Sequence, residues 1–148
     1  MAKSDQIEIR KPTKDELKSV SQLRYEVLDK PINLPLNNIP SKNDSVPNVI
    51  HMAAFDGSKV VCTVRLNEHG DKRYLVRRMA TAPEYRNLGI GKRVLKAAEE
   101  EARKLGATAM ILHSREEAVC FYEKQGYVLT GGVEIYDGLD NFEMTKAL

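Results

Sequence analysis

The segment Arg86-Asn87-Leu88-Gly89-Ile90-Gly91-Lys92 carries the residue types that hold a phosphate. Gly89 and Gly91 have no side chains, so a ligand can come close to the main chain there. A helix starting at this point offers unpaired N–H groups and the positive end of its macrodipole. A phosphate is stabilised by both, and Arg86 and Lys92 add positive charge beside it. The segment reads as a pyrophosphate cradle, with an ordinary tight turn as the alternative. Two related loops are excluded. A nucleotide-triphosphate loop needs G-x-x-x-x-G-K-[ST], but Arg93 follows Gly91-Lys92 and Arg86 stands where the first Gly belongs. A dinucleotide fingerprint needs G-x-G-x-x-G, and Val94 occupies its third glycine position.

Other reactive residue types are more scattered. Cys62 lies in an apolar run and reads as core, and Cys120 sits two residues before Tyr122. Neither belongs to a C-x-x-C pair, and both are expected to stay reduced. No neighbouring cation is placed to activate Cys120 as a nucleophile. Arg65, Arg73, Arg77 and Arg78 crowd the middle of the chain. A salt-bridged sheet face is the favoured reading, ahead of a site that attracts an acidic group on a substrate.

The elements that must position these residues follow from pattern. Ile7-Glu8-Ile9-Arg10 alternates like a short strand. Thr13-Lys14-Asp15-Glu16 has the form of a capping box, and apolar residues at helical spacing from Leu17 to Leu28 predict a helix over 14–28. From 29 to 47, Pro31, Pro35, Pro40 and Pro47 exclude a long helix or a central strand. That loop is either a wall of a substrate site or a surface connection held by its apolar side chains. Residues 49–55 and 59–66 read as strands joined by an Asp56-Gly57 hairpin, with a third strand at 74–81. A helix from Leu88 or Ile90 to Leu105 carries Val94, Leu95, Ala98, Ala102 and Leu105 as its apolar stripe. Glu99, Glu100, Arg103 and Lys104 are expected to face water, and Gly106 ends the helix. A buried strand over 107–112 follows. Ser114-Arg115-Glu116-Glu117 predicts a second capping box, opening a helix that ends at Gly126. Short strands at 127–130 and 142–145 close the chain. Hairpin-joined and helix-joined strands together imply an α/β chain of α+β type, a mixed sheet with helices on its faces.

The 148 residues suit one domain spanning 1–148. A formal net charge of +2 is too small to imply nucleic acid or membrane as a partner. No apolar run approaches the ~20 residues of a membrane span, and the polar Met1–Gln6 start lacks signal-peptide character. A cytoplasmic location is the expectation.

Arg86-x-x-Gly89-x-Gly91 resembles the R/Q-x-x-G-x-G/A loop of the GNAT superfamily of acyl-CoA N-acyltransferases. Arg78-Met79-Ala80-Thr81-x-Pro83-Glu84-Tyr85 resembles the strand and lead-in before that loop, and Ala118-x-x-Phe121-Tyr122-Glu123-Lys124-x-Gly126-Tyr127 resembles the helix and strand after it. The three segments cover residues 74–130. Leu23-Arg24-x-x-Val27-Leu28, His51, Val64-Arg65-Leu66 and the ending Gly138-Leu139-Asp140-Asn141-x-x-Met144 are similar to a branch of small, mostly uncharacterised members. Asn141 departs from the His usual there.

The resemblance implies a mainly antiparallel mixed sheet of six to seven strands, about four helices, and a splay between strands 4 and 5. It implies acetyl-CoA as co-substrate and direct attack by an amine, with no metal. Met79, Ala80 and Thr81 would then line the pantetheine arm. Arg86, Asn87, Leu88, Gly89, Ile90, Gly91 and Lys92 would hold the pyrophosphate, and Arg115 would open the next helix near the cofactor. Tyr122 falls at the family's general-acid position, with a packed aromatic as the competing role. His113, His51 and Glu134 are the candidates for the base, His113 first, with a chain of waters as the alternative. The acceptor is an amine of a small molecule or protein, and the family admits a homodimer. A non-catalytic acyl-CoA-binding sensor or interaction module is the alternative function.

Overall fold

A computed structural model describes residues 6–32, 49–136 and 138–148. The wall expected from the proline-rich segment falls almost wholly on 33–48, outside the described residues. The elements run β1 (Ile7–Arg10), α1 (Leu17–Arg24), β2 (Val49–Asp56), β3 (Lys59–Glu68), β4 (Arg73–Thr81), α2 (Ile90–Lys104), β5 (Ala109–Arg115), α3 (Glu116–Lys124), β6 (Val128–Tyr136) and β7 (Leu139–Ala147). Three α-helices are described, where about four were expected.

One seven-stranded sheet has the order β1-β2-β3-β4-β5-β7-β6. Every pairing is antiparallel except β4 with β5. A parallel pair needs a long crossover, and α2 supplies it. The parallel register runs from Arg73↔Ala109 to Val76↔Leu112 and stops there. β4 continues to Thr81 and β5 to Arg115 without pairing to each other, so the strands part as the splay requires. A register shift between Thr63 and Arg65 disturbs the other edge of β4, where Arg78 takes φ +55°. A bulge of this kind adds twist and re-aims side chains.

The core lies on both sheet faces. Val20 and Leu23 of α1 are buried on one side, and Ile90, Val94, Leu95, Ala98 and Ala102 of α2 on the other. Two expectations for α2 fail. Leu105 is 64% exposed, because the helix ends at Lys104 and the chain turns away through Gly106. Glu99 is 4% exposed rather than water-facing. Positions 95, 98, 99 and 102 stand at i, i+3, i+4 and i+7, so helix geometry places Glu99 on the buried stripe whatever its polarity.

Three boundaries also differ. The predicted 14–28 helix opens with a 3-10 turn at Lys14–Glu16, and its last turn, Tyr25–Asp29, is π-helical. The second capping box is absent: β5 runs on through Ser114 and Arg115, and Ser114 Oγ donates to the Arg115 carbonyl at 2.8 Å. The closing strands are nine residues each, so Glu134 lies on a strand rather than in a loop. A register shift between Leu129 and Val133, around Gly131-Gly132, had hidden the alternation.

The first capping box is present. Thr13 N–H donates to Glu16 Oε1 at 2.8 Å, and Arg10 grips both carboxylate oxygens at 2.8 and 2.9 Å. The Arg10 guanidinium holds the Glu16 carboxyl at about 2, against an ordinary 4.5. Because the folded state binds its proton less readily, this contribution is complete above about pH 4.5 and disappears as pH falls toward about 2. In thermal melts across that range, the advantage of the wild type over Glu16→Gln should shrink steadily with acidification. A gap that is constant with pH would contradict this.

Candidate functional site

The phosphate-type loop is built by left-handed backbone. Asn87 takes φ +63° and Gly89 φ +75°. Gly89 is the N-cap of α2, and no side chain caps the helix. Arg93 N–H is bonded to the Gly89 carbonyl at 3.2 Å, so the amides of Ile90, Gly91 and Lys92 precede the helical ladder. Arg86 Nε donates to the Thr81 carbonyl at 3.2 Å, which lays the arginine back along the end of β4.

The two glycines have different roles. A Cβ at Gly89 would meet nothing within 4 Å, so that position needs glycine for its backbone and leaves the approach to the helix start open. A Cβ on Gly91 would touch Met79 Cε and Phe121 Cζ at 3.5 Å and Thr81 Oγ1 at 3.6 Å. Gly91 therefore faces protein, and it lets β4, α2 and α3 converge at the mouth of the splay.

Tyr122 projects from α3 into that convergence. Its hydroxyl donates to Met79 Sδ at 3.6 Å, and its ring meets Phe121 and Tyr127 edge-on at 5.1 and 5.8 Å. Burial, with a smaller contribution from Cys62, pushes the phenol above its usual 10, so it keeps its proton at neutral and mildly alkaline pH. Cys62 is wholly buried, lies 3.2 Å from Thr81 Oγ1, and is pushed up to about 11 by burial. A thiol held neutral is a core group rather than a nucleophile. Cys120 is exposed, and both cysteines are free. Arg115 is the N-cap of α3, through its backbone and not its side chain.

The three base candidates separate. His51 Nδ1 lies 3.3 Å from Arg24 Nη2, which ties it to a buried arginine of α1. His113 lies within β5, one residue past the last parallel pair. Its Nε2 is 3.2 Å from Glu134 Oε2 and 3.5 Å from Glu143 Oε2. Its Nδ1 is buried with no hydrogen-bond partner among the described residues. His113 and Glu134 thus form one cluster, and Glu143, which sequence reasoning missed, completes it. Among the described residues no hydrogen bond or ring contact joins this cluster to Tyr122.

The arginines are largely committed. Arg78 makes a two-point pair with Asp29 at 2.8 Å each, and Arg65 Nε donates to Asn67 at 2.9 Å. Arg77 stacks on Tyr136, with its Cζ 5.2 Å from the ring centre. That contact carries the end of β6 back to β4, and the sequence had no signal for it. An open groove of about 520 Å³ lies between α1 and residues 82–84, beside the lead-in to the loop. No described helix is long and apolar enough to cross a membrane.

Comparison with known proteins bears on the family and the fold. A family model described as an acetyltransferase (GNAT) domain matches residues 47–129. The protein YjcF of Bacillus subtilis (strain 168), named as an uncharacterized N-acetyltransferase, is 31% identical over 134 residues, 89% of this chain and 93% of its own. A crystal structure from Lactobacillus plantarum, assigned as an N-acetyltransferase, superposes with a TM-score of 0.84 at 25% identity, covering 96% of this chain and 98% of that one. The PaiA N-acetyltransferase of Thermoplasma acidophilum, solved with coenzyme A, shares the fold with a TM-score of 0.73 at 24% identity, over 96% and 99% of the two chains.

Two measurements test the site's construction. Gly89→Ala should lower stability by about 1 kcal/mol in chemical denaturation, because alanine resists the left-handed backbone. Gly91→Ala, whose new methyl meets only ordinary contacts, should cost less. In thiol titration the native protein should react at Cys120 alone, and Cys62 should appear only on unfolding. Rapid labelling of both would contradict the buried, neutral Cys62.

Proposed function

The chain belongs to the GNAT acetyltransferase family, and from that premise we propose that it transfers an acetyl group from acetyl-CoA to a primary amine of a small molecule or protein. The observation that carries this reading is one of proximity. The uncapped start of α2 and the partly buried Tyr122 both belong to the convergence around Gly91, Met79 and Phe121.

In this reading the amides of the loop from Asn87 to Lys92 hold the pyrophosphate, and Arg86 and Lys92 add charge. Main-chain groups of Met79, Ala80 and Thr81, past the end of the β4–β5 ladder, align the pantetheine arm between the strands. Arg115, at the start of α3, stands on the opposite strand. The thioester is already activated, so the protein's task is positioning and stabilisation of charge. The amine attacks the thioester carbonyl, the C–S bond breaks, and negative charge develops on sulfur.

Tyr122 serves that sulfur. A thiol titrates at ~8.5 and this phenol above 10, so complete proton transfer from tyrosine to thiolate is uphill. The phenol acts by donating a hydrogen bond to the developing thiolate, and the proton that the base takes from the amine reaches the sulfur through solvent. Its hydroxyl is already directed at a sulfur, that of Met79. His113 is the base that takes the amine proton, with Glu134 and Glu143 beside its Nε2 to stabilise the imidazolium. Residues 1–148 act as one domain in the cytoplasm, and no step requires metal, nucleic acid or membrane.

Release of free CoA thiol across a panel of amines tests the proposal. Tyr122→Phe should lower kcat by about 10²-fold while leaving CoA affinity in calorimetry unchanged. Arg86→Ala should weaken CoA binding by about tenfold. CoA binding without turnover on any amine would replace the proposal with a binding module. Absence of CoA binding would remove it.

A further inference from the structure

We propose that Tyr127, held by Glu99 and Lys146, is a positioning residue that sets the Tyr122 phenol relative to the phosphate-type loop. The inference rests on the role given to Tyr122 above. Tyr127 is 1% exposed and donates its hydroxyl to Glu99 Oε2 at 2.8 Å. The other carboxylate oxygen accepts from Lys146 Nζ at 2.9 Å. Both oxygens of this buried carboxylate are therefore used, and its charge is balanced. Burial and the adjacent Glu99 raise the Tyr127 phenol well above its usual range, so the donor proton stays on tyrosine.

Tyr122 packs against the core, but among the described residues its directional contacts are few. Among the described residues its hydroxyl bonds only to the soft sulfur of Met79, a weak acceptor. Its aromatic neighbours are Phe121 and Tyr127, both edge-on. Tyr127 touches it twice, through the ring at 5.8 Å and through its N–H, which donates to the Tyr122 carbonyl at 3.1 Å. A side chain with a weak acceptor takes its orientation from its rigid neighbours. Tyr127 is rigid because Glu99 anchors it.

Glu99 also decides what Tyr127 is anchored to. It lies on α2, the helix that begins at Ile90 directly after the glycine N-cap. Nine helical residues span about 13 Å of stiff rod. The same rod thus presents the loop amides at its end and grips Tyr127 along its side. Lys146, from β7, closes the arrangement against the sheet. The donor's phosphates and the hydroxyl facing its sulfur are thereby referenced to one helix. A shift of about 1 Å between such groups is enough to cost a large factor in rate.

The test is a double-mutant cycle on the full chain, read as kcat and as KM for acetyl-CoA. Tyr127→Phe keeps the ring and removes the hydroxyl. It should lower kcat by about tenfold and change KM by less than about twofold. In a Tyr122→Phe background the same substitution should have almost no further effect, because the group it positions is gone. Glu99→Gln retains an oxygen to accept from Tyr127 and should restore most of the rate that Glu99→Leu loses. These two variants also decide the matter if Tyr127→Phe folds poorly in circular dichroism. Equal slowing by Tyr127→Phe in both backgrounds, or no slowing in the wild type, would overturn the inference. Full activity of Tyr122→Phe would instead remove the role assigned to that phenol, a separate result.

Discussion

The parallel ladder between β4 and β5 ends at Val76↔Leu112, and most of what is particular to this molecule follows from that early stop. Backbone N–H and C=O groups are obligatory hydrogen-bonding groups, so strands seldom part without something to occupy the gap. Here the parting is enforced from both sides. The register shift near Thr63 and the positive φ of Arg78 bend β4 one way. The antiparallel pairing of β5 with β7, from Ala109↔Ala147 to Arg115↔Asn141, holds β5 straight the other way. The separated ends then receive α2 and α3, whose approach at Gly91 is close enough that a methyl group would touch three neighbours.

The ionic groups sort by where they hold this geometry. Arg78 grips Asp29 and so fastens the π-helical turn after α1 to the bent part of β4. Glu99 grips Tyr127 and Lys146 and fastens α2 to the outer strands. Such pairs lose hydration, and each is made tolerable by satisfying both carboxylate oxygens. Their yield is mainly specificity of arrangement: a carboxylate with two fixed donors accepts one registration of the elements that supply them. The surface pairs, such as Lys59 with Glu84, join exposed side chains and contribute little.

Much of this was legible before the structure. The loop and its helix start, the α2 stripe, the Thr13–Glu16 box and the mixed sheet all depend on residues within a few positions of one another. The same holds for Gly106 and Gly126, which take φ +90° and +96° at helix ends. Local sterics and helix periodicity act within one or two turns, so type and spacing suffice to read them. The core place of Cys62 was equally plain from its apolar run.

What spacing left open concerned partners distant along the chain. Glu99 looks solvated by type, and only Tyr127 and Lys146, 28 and 47 residues away, make its burial possible. His113 and Glu134 were separate base candidates in the sequence, and only β6 and β7 bring Glu134 and Glu143 to the His113 Nε2. Gly91 suggested room for a ligand, yet its open side is filled by Met79 and Phe121. The sequence by itself determined most of the elements and the glycine turn that opens α2, because those follow from short-range geometry. The tertiary structure alone decided which side chains are buried, paired and aimed, because burial and electrostatic environment are properties of whatever packs opposite, and the chain does not spell that out locally.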